Sequence, residues 1–139
     1  MWLWTGRVMD PTPTILWHFN ALKYAPPKGC FTVMAAFFLV DENDGNQENC
    51  MKITAMATGT KCLAKKNYSR IGDAVHDFHA EVLARRCVVR WFLQEMAKET
   101  SEWLDAVVDE NGQRQSWSLR QGVTLNMYIS ELPCKLSSL

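Results

Sequence analysis

An almost unbroken apolar run from Phe31 to Val40 (FTVMAAFFLV) places the strongest constraint on how this chain can fold. Its aromatic and β-branched residues favour a strand that is buried on both faces. The segment from Asp41 to Asn46 (DENDGN) has the composition of a turn, and Met51 to Thr58 (MKITAMAT) has that of a second strand. We therefore expect these two strands to form a hairpin.

Three further segments follow the hairpin. Asp77 is a suitable N-cap for a helix that runs to about Glu99, and this helix is apolar nearly all round. Residues 100–115 are polar, contain Asn111-Gly112 as a turn, and are expected to be an insertion. Val123 to Ser130 (VTLNMYIS) is predicted as a third strand. The order strand, strand, helix, strand predicts an α/β layered fold.

The beginning of the chain differs from the rest. Residues 1–30 contain four of the five prolines and little periodicity. Only Ile15 to Tyr24 resembles an amphipathic helix. We therefore predict a poorly structured N-terminal segment over residues 1–27, followed by one domain over 28–134 and an unrelated tail over 135–139.

Composition limits the classes of partner. The chain is 47% apolar and 22% charged, which is typical of a globular domain, and its formal net charge is zero. The net charge of the chain therefore produces no overall electrostatic attraction to nucleic acid. Any binding of nucleic acid has to come from local clusters of basic residues. The basic residues do cluster, at Lys61, Lys65, Lys66 and Arg70, and again at Arg85, Arg86 and Arg90.

The cysteines and the apolar windows indicate the compartment. Five cysteines are an odd number, and without a convincing signal peptide they are expected to be reduced thiols. No window approaches the roughly 20 apolar residues of a membrane span. We expect an intracellular protein, nuclear or cytoplasmic, without a membrane partner.

Two short motifs carry chemistry, namely His79-Ala80-Glu81 and, far downstream, Pro133-Cys134. A histidine and a cysteine can hold zinc, which lowers the pKa of a bound water, and a nearby glutamate can move its proton. His79 is also compatible with an ordinary residue at a helix start and Glu81 with a solvated first-turn carboxylate, and a Pro-Cys pair alone is common. The spacing by itself leaves both interpretations open.

The surrounding residues are more specific. Gly59-Thr60-Lys61-Cys62, Gly72-Asp73 and the stretch from Asp77 to Arg86 (DFHAEVLARR) resemble the first half of the adenosine-to-inosine RNA deaminase (editase) domain. Trp117 to Arg120 (WSLR), before the strand that precedes Pro133-Cys134, resembles more the tRNA-specific adenosine deaminase 1 group. The resemblance implies a cytidine-deaminase-like layered α/β fold, with a mixed sheet and flanking helices, that is truncated here.

The resemblance also implies roles. His79 and Cys134 would be zinc ligands. Glu81 would be the proton shuttle for the water that attacks C6 of an adenine in RNA. Because the resemblance is greater to the tRNA enzymes, tRNA is the expected substrate, and no binding of DNA is expected. Thr60 and Lys61 would contact the flipped nucleotide and its phosphate. From the residues alone, Thr60 and Lys61 equally fit a turn that ends a strand, with a solvated lysine.

Arg85 projects onto the centre of an apolar helix stripe that includes Val82 and Val89, where an unpaired guanidinium would be costly. Pairing with an acidic residue, or extension of the Arg85 side chain to the surface, would remove this energetic cost. The family resemblance instead implies that Arg85 and Arg86 hold a buried inositol hexakisphosphate. It places Asp77 in a relay between that polyphosphate and the zinc site, which is compatible with a capping role.

The end of the chain departs from the family pattern. Lys135-Leu136 replaces Gly-Asp after Pro133-Cys134, and the third zinc ligand, a later cysteine, is absent. Neither Cys62 nor Cys87 is expected to substitute for it. We therefore expect a truncated gene model or splice product that neither binds zinc tightly nor deaminates adenosine. The alternative function is a catalytically inactive product that binds RNA or a protein.

Overall fold

A computed structural model describes residues 10–29, 31–43, 50–69 and 71–131 of the chain, without the side chain of Arg114. Its contacts divide the chain into two compact units, residues 1–31 and residues 32–139. Cys134 and the predicted tail lie outside the described residues.

The described part of the first unit contains one helix, α1 (Thr12–Ala21). Pro13 lies in its first turn, where the missing N–H costs nothing, and the Asp10 carboxylate accepts a hydrogen bond from the Thr12 backbone at 2.9 Å. Lys23 follows the helix with a left-handed φ of 53°. The prediction of a poorly structured segment over residues 1–27 is therefore wrong for residues 12–21, where the candidate helix does form.

The second unit contains seven strands and one long helix among its described residues. In chain order they are β1 (Met34–Asp41), β2 (Met51–Thr58), β3 (Thr60–Cys62), β4 (Asp77–His79), α2 (Ala80–Met96), β5 (Leu104–Val108), β6 (Arg114–Leu119) and β7 (Val123–Ile129).

A three-stranded antiparallel sheet in the order β2-β1-β7 forms the centre of this unit. The consecutive residues Met34, Ala35 and Ala36 of β1 are all buried. Because successive side chains of a strand point to opposite faces, β1 is covered on both sides, as its apolar sequence predicts. The predicted hairpin of β1 and β2 and the predicted third strand are confirmed.

Helix α2 packs against β1 and β2 through its small residues. Ala80 and Ala84 are fully buried and form a cluster with Ala35, and Ala57 and Ile129 pack against this cluster. Alanine side chains allow the helix backbone to come close to the sheet, so the buried line of α2 follows the i, i+4 spacing from Ala80.

This packing corrects two predictions about α2. The helix begins at Ala80, with His79 at its N-cap position, because Asp77 to His79 pair with β3 as a strand; Asp77 is therefore not the cap. The helix is also not apolar and enclosed all round. Arg85, Arg86, Val89 and Leu93 are exposed, so the stripe predicted to bury Arg85 is not the buried face.

Residues 100–115 are not only an insertion loop. Strands β5 and β6 form a second antiparallel hairpin whose turn contains the predicted Asn111-Gly112. Asp109 holds this turn by accepting backbone hydrogen bonds from Asn111 and Gln113 at 2.9 and 2.7 Å, and Gly112 has a φ of 76°. Most of β5 is exposed, which explains why its sequence lacks the alternation that identifies a half-buried strand.

The described architecture is a mixed α/β fold in which every paired strand is antiparallel. The predicted α/β class agrees with it, whereas the described strands do not form the mixed sheet that was expected. Among the described residues, no helix has the length and apolar character needed to span a membrane.

Candidate metal and active site

The site is built on the short ribbon of β3 and β4, which leads directly into α2. In its antiparallel register Thr60 faces His79 and Cys62 faces Asp77, while Lys61 faces Phe78. Because side chains alternate along a strand, Thr60, Cys62, Asp77 and His79 share one face of the ribbon. The ribbon thus brings together residues from two separate motifs of the sequence.

Gly59 allows the ribbon to lie this close to the helix start. A Cβ atom at this position would lie 1.7 Å from the carbonyl oxygen of Phe78, which is backbone and cannot rotate away. The Gly59 N–H donates to the Val33 carbonyl at 3.0 Å, and its own carbonyl accepts from the Ala80 N–H at 3.2 Å. Gly59 therefore joins the central sheet, the ribbon and the first residue of α2.

The loop that connects β3 to β4 is anchored by His76. The His76 ring Nε2 accepts a hydrogen bond from the Ser69 backbone at 3.2 Å and stacks on the Tyr68 ring at a centroid distance of 4.2 Å. The His76 carbonyl accepts from the Leu63 N–H at 2.7 Å. This anchor closes the loop, so β4 returns alongside β3 in the register that aligns Cys62 with Asp77.

Three potential ligand side chains meet on the shared face. The Asp77 Oδ1 atom lies 2.8 Å from His79 Nδ1 and accepts the His79 backbone N–H at 2.9 Å. The Cys62 Sγ atom lies 3.5 Å from the same Nδ1. All three ligand atoms lie within 4.8 Å of one another.

The short contacts change the acid strengths of two of these groups. The backbone N–H of His79, which donates to the carboxylate, lowers the pKa of Asp77, and the His79 ring acts in the same direction. Loss of solvent around the sulfur, followed by the charge of the Asp77 carboxylate, raises the pKa of the Cys62 thiol. At neutral pH the group therefore contains a carboxylate that accepts hydrogen bonds and a protonated thiol.

The donor set suits zinc. A cysteine sulfur (bound as thiolate, after the thiol loses its proton), an imidazole nitrogen and a carboxylate oxygen are the three ligand types that zinc takes from proteins. Sequence analysis identified His79 and Asp77 but expected no contribution from Cys62. Cys62 follows Thr60 by two residues, a spacing that places both side chains on one face of a strand. This spacing indicates that Cys62 lies beside Asp77 and His79 only once the β3–β4 register is known.

The other predicted site residues lie around this group. Glu81 is the second residue of α2, in its first turn, and is half-buried. Thr60 is half-buried opposite His79, whereas Lys61 is exposed on the other face of the ribbon. Thr60 and Lys61 are therefore neighbours in the chain whose side chains point in opposite directions.

Two predicted groups are not brought to this site by the described residues. Arg85 and Arg86 lie on exposed positions of α2, and their polyphosphate-binding role stays a prediction. Cys134 lies outside the described residues, so its role as a zinc ligand also stays a prediction.

A second polar cluster at the other end of α2 was not foreseen. Glu95 is only 5% exposed and accepts hydrogen bonds from Lys98 Nζ at 2.5 Å and from Ser101 Oγ at 2.9 Å. Burial raises the pKa of Glu95, but the hydrogen bonds from Lys98 and Ser101 outweigh this and lower it below its usual value.

Comparisons with known proteins identify the family of the chain. The sequence pattern of the adenosine-deaminase (editase) domain matches residues 55–138, which is more than half of the chain. The chain is 31% identical over 83 residues to tRNA-specific adenosine deaminase 1 of Homo sapiens, covering 60% of this chain and 16% of that protein. It is 37% identical over 94 residues to tRNA-specific adenosine deaminase 1 of Schizosaccharomyces pombe, covering 63% and 23%.

A relative with another printed substrate is also similar. The chain is 27% identical over 86 residues to the double-stranded RNA-specific editase Adar of Drosophila melanogaster, covering 60% of this chain and 13% of that protein. The chain thus spans less than a quarter of the length of these three relatives. The matched residues include all of β3, β4 and α2, and on this basis the chain belongs to the adenosine-deaminase (editase) domain family.

Proposed function

We propose that residues 32–131 are part of a catalytic domain that converts adenosine to inosine in RNA by hydrolysis, with tRNA as the substrate class. The observation that carries this proposal is the junction of β4 and α2. There Asp77 holds the His79 ring at 2.8 Å, and Glu81 follows two residues later in the first turn of the helix. The family of the chain and the names of its relatives support the reaction and the substrate class.

Glu81 is the proposed proton carrier. Its position in the first turn of α2 places this carboxylate at the same helix start as His79, and a carboxylate can accept and return a proton. It would take the proton of the attacking water and deliver it to the amine that leaves C6 of the adenine. A zinc ion held at His79 would supply the lowered pKa of that water.

Thr60 and Lys61 have different proposed roles because they face opposite ways. Thr60, opposite His79 in the ribbon, would contact the flipped nucleoside near the reacting atom. Lys61 is exposed, and its ammonium group would contact a phosphate of the RNA backbone.

Arg85 and Arg86 are proposed contacts of inositol hexakisphosphate, with Asp77 in a relay toward the metal. Both arginines are exposed among the described residues, so their guanidinium groups are accessible to an anion. The proposed location is intracellular, nuclear or cytoplasmic, and the unbridged thiols of Cys62 and Cys87 support a reducing compartment.

The test of the proposed function is inosine formation on a tRNA substrate by a protein that contains this segment together with the rest of the editase domain. Glu81→Ala should lower the rate by at least about 100-fold, because proton transfer by a positioned side chain contributes that much or more. The variant should retain its zinc. Glu102→Ala, which removes an exposed carboxylate beyond α2, is the matched control and should keep the parental rate. Inosine formation by Glu81→Ala at the parental rate would show that Glu81 is not the proton carrier.

The alternative is a catalytically inactive product that binds RNA or a protein. The short span relative to its relatives favours it for the 139-residue chain taken alone. In that case the isolated chain forms no inosine, because the rest of the domain is needed to exclude water from the flipped base. Inosine produced by the isolated chain above its own Glu81→Ala variant would exclude this alternative.

A further inference from the structure

We propose that the C-terminal end of α2 and the base of the β5–β6 hairpin form a second RNA contact, which binds one nucleotide of a single strand away from the reaction site. The inference goes beyond the proposed function and rests on it only for the choice of RNA as the nucleic acid. An open cavity of about 610 Å³ lies between α2, β2 and this hairpin. Its volume is within the range of roughly 300–1,000 Å³ that is typical of small-ligand sites.

A β-bulge in β2 directs Lys52 into this cavity. Phe37 pairs with Ala55, whereas Leu39 pairs with Lys52, so β2 has one residue more than β1 between these two pairs. The Thr54 hydroxyl donates to the Phe37 carbonyl at 3.1 Å within the bulge. In a regular strand, residues 52 and 55 would lie on opposite faces. Because cross-strand partners share a face and Phe37 packs against the alanine cluster of α2, the bulge places Lys52 on the side that α2 covers.

Glu95 is the most buried residue that lines the cavity, and it joins the two elements on either side. Its carboxylate accepts hydrogen bonds from Lys98 and from the Ser101 hydroxyl, which in turn accepts the Trp103 N–H at 3.1 Å. These bonds connect the end of α2 to the residue that precedes β5. Lys98 is also the ionic partner of Glu95, so the buried carboxylate does not offset the other cations of the cavity.

Two further cations, Lys52 and Arg120, line the cavity. Lys52 is exposed, and no carboxylate of the described residues lies within salt-bridge distance of it. The Arg120 side chain is 46% exposed; its Nε lies 3.9 Å from the Asp105 carboxylate, and its Nη2 donates to the Ser101 carbonyl at 3.4 Å. Because a guanidinium has five N–H donors, donors remain for a phosphate. The Glu102 carboxylate is exposed, where solvent and salt screen its charge.

Two half-buried tryptophans, Trp91 of α2 and Trp103, add aromatic surface to the cavity. The Trp91 ring packs edge-on against Phe92 at a centroid distance of 5.2 Å. Every nucleobase has a flat face that can stack on such a ring, and cations combined with aromatic rings are typical of sites for single-stranded nucleic acid. An acidic peptide would use the cations but would leave the indole rings without a stacking partner. The lining therefore favours a nucleotide.

The cavity is separate from the proposed reaction site. Glu81 and Glu95 belong to the same helix, and a rise of about 1.5 Å per residue places their backbones roughly 21 Å apart. An RNA that contains no adenine can therefore bind at the cavity without serving as a substrate. Such an RNA tests this contact independently of the deamination reaction.

The experiment measures binding of fluorescein-labelled hexauridylate to the 139-residue chain by fluorescence anisotropy at several salt concentrations. Lys52→Met and Arg120→Met should each weaken the affinity by about tenfold, the loss expected for one charge-assisted hydrogen bond. Each should also reduce the slope of log affinity against log salt by about 0.7, because one phosphate contact is lost. Trp103→Leu should weaken the affinity by about tenfold through lost stacking, without changing the slope.

Arg90→Met is the matched control, because Arg90 is an exposed arginine of α2 that does not line the cavity. It should leave the affinity and the slope unchanged, and circular dichroism verifies the fold of each variant. Equal affinities of the parent, Lys52→Met and Arg120→Met would overturn the proposal, as would absence of hexauridylate binding by the folded chain. Binding of hexaglutamate that is lost in the same two variants would also overturn it, by assigning the cavity to an acidic peptide. None of these outcomes affects the Glu81 test of inosine formation.

Discussion

A carboxylate with several polar contacts lies at each end of α2, but the two carboxylates differ in burial and in the groups that they contact. At the C-terminal end, Glu95 is buried, and both of its oxygens accept hydrogen bonds, from Lys98 and from Ser101. At the N-terminal end, Asp77 is half-exposed and concentrates its contacts on His79, with the Cys62 sulfur close by.

This difference separates a structural carboxylate from a candidate functional one. A buried carboxylate must be fully hydrogen-bonded, because an unpaired charge away from water is costly, and Glu95 meets that requirement with groups of the chain itself. The group at Asp77 instead contains an imidazole and a thiol, which are potential metal ligands. We therefore expect substitution of Glu95 to change stability, and substitution of the potential ligands Cys62, Asp77 and His79 to change ligand binding.

The largest expected effect comes from Gly59→Ala, which acts on the scaffold of the N-terminal end. The new Cβ would meet the Phe78 carbonyl oxygen at 1.7 Å, so the ribbon would have to separate from α2. We expect a loss of about 3 kcal/mol or more in the free energy of unfolding, measured by urea titration. Gly112→Ala, where a Cβ meets no atom within 4 Å but φ is 76°, should cost about 1 kcal/mol. Equal losses for the two variants would contradict the close approach at Gly59.

A smaller effect is expected for Glu95→Ala, which removes the acceptor of two hydrogen bonds at the C-terminal end. The free energy of unfolding should fall by about 2 kcal/mol at neutral pH, whereas Glu102→Ala should change it by less than about 0.5 kcal/mol. Because the pKa of Glu95 is lower in the folded state, its contribution is fully present above the unfolded-state pKa. It is lost as the pH falls through the folded-state pKa.

The parent and Glu95→Ala should therefore approach each other in stability as the pH is lowered through that range. A difference between them that stays constant from neutral to acidic pH would show that Glu95 does not stabilise the chain through its charge.

The smallest effect is expected for Arg85→Met, between the two ends. Arg85 is exposed, so its replacement should change the free energy of unfolding of this chain by less than about 0.5 kcal/mol. The measurement is the same urea titration, with Arg90→Met as a control at another exposed position of α2. A loss of more than about 1 kcal/mol for Arg85→Met alone would indicate that this guanidinium has a structural partner.

Sequence analysis predicted the strands whose apolar composition reflects their burial in the sheet. The apolar run of β1 is central in the sheet and covered on both faces, so its composition alone predicts a strand, and β2 and β7 were predicted on similar grounds. It failed for the exposed hairpin of β5 and β6, which shows little apolar alternation. It also misjudged the buried face of α2, because a helical projection ranks large apolar residues and does not reveal that Ala80 and Ala84 allow the closest approach to the sheet.

In the candidate site, too, some residues could be placed from the sequence and others only from the tertiary structure. The motif of His79 and Glu81 is local, and both residues lie at the start of α2. The sequence by itself therefore determined the family and predicted that these two residues lie at one helix start. Only the tertiary structure could add Cys62, because its position depends on the register between two strands separated by a loop. That register is set by Gly59, by His76 and by pairing of backbone groups, none of which leaves a periodic pattern in the sequence.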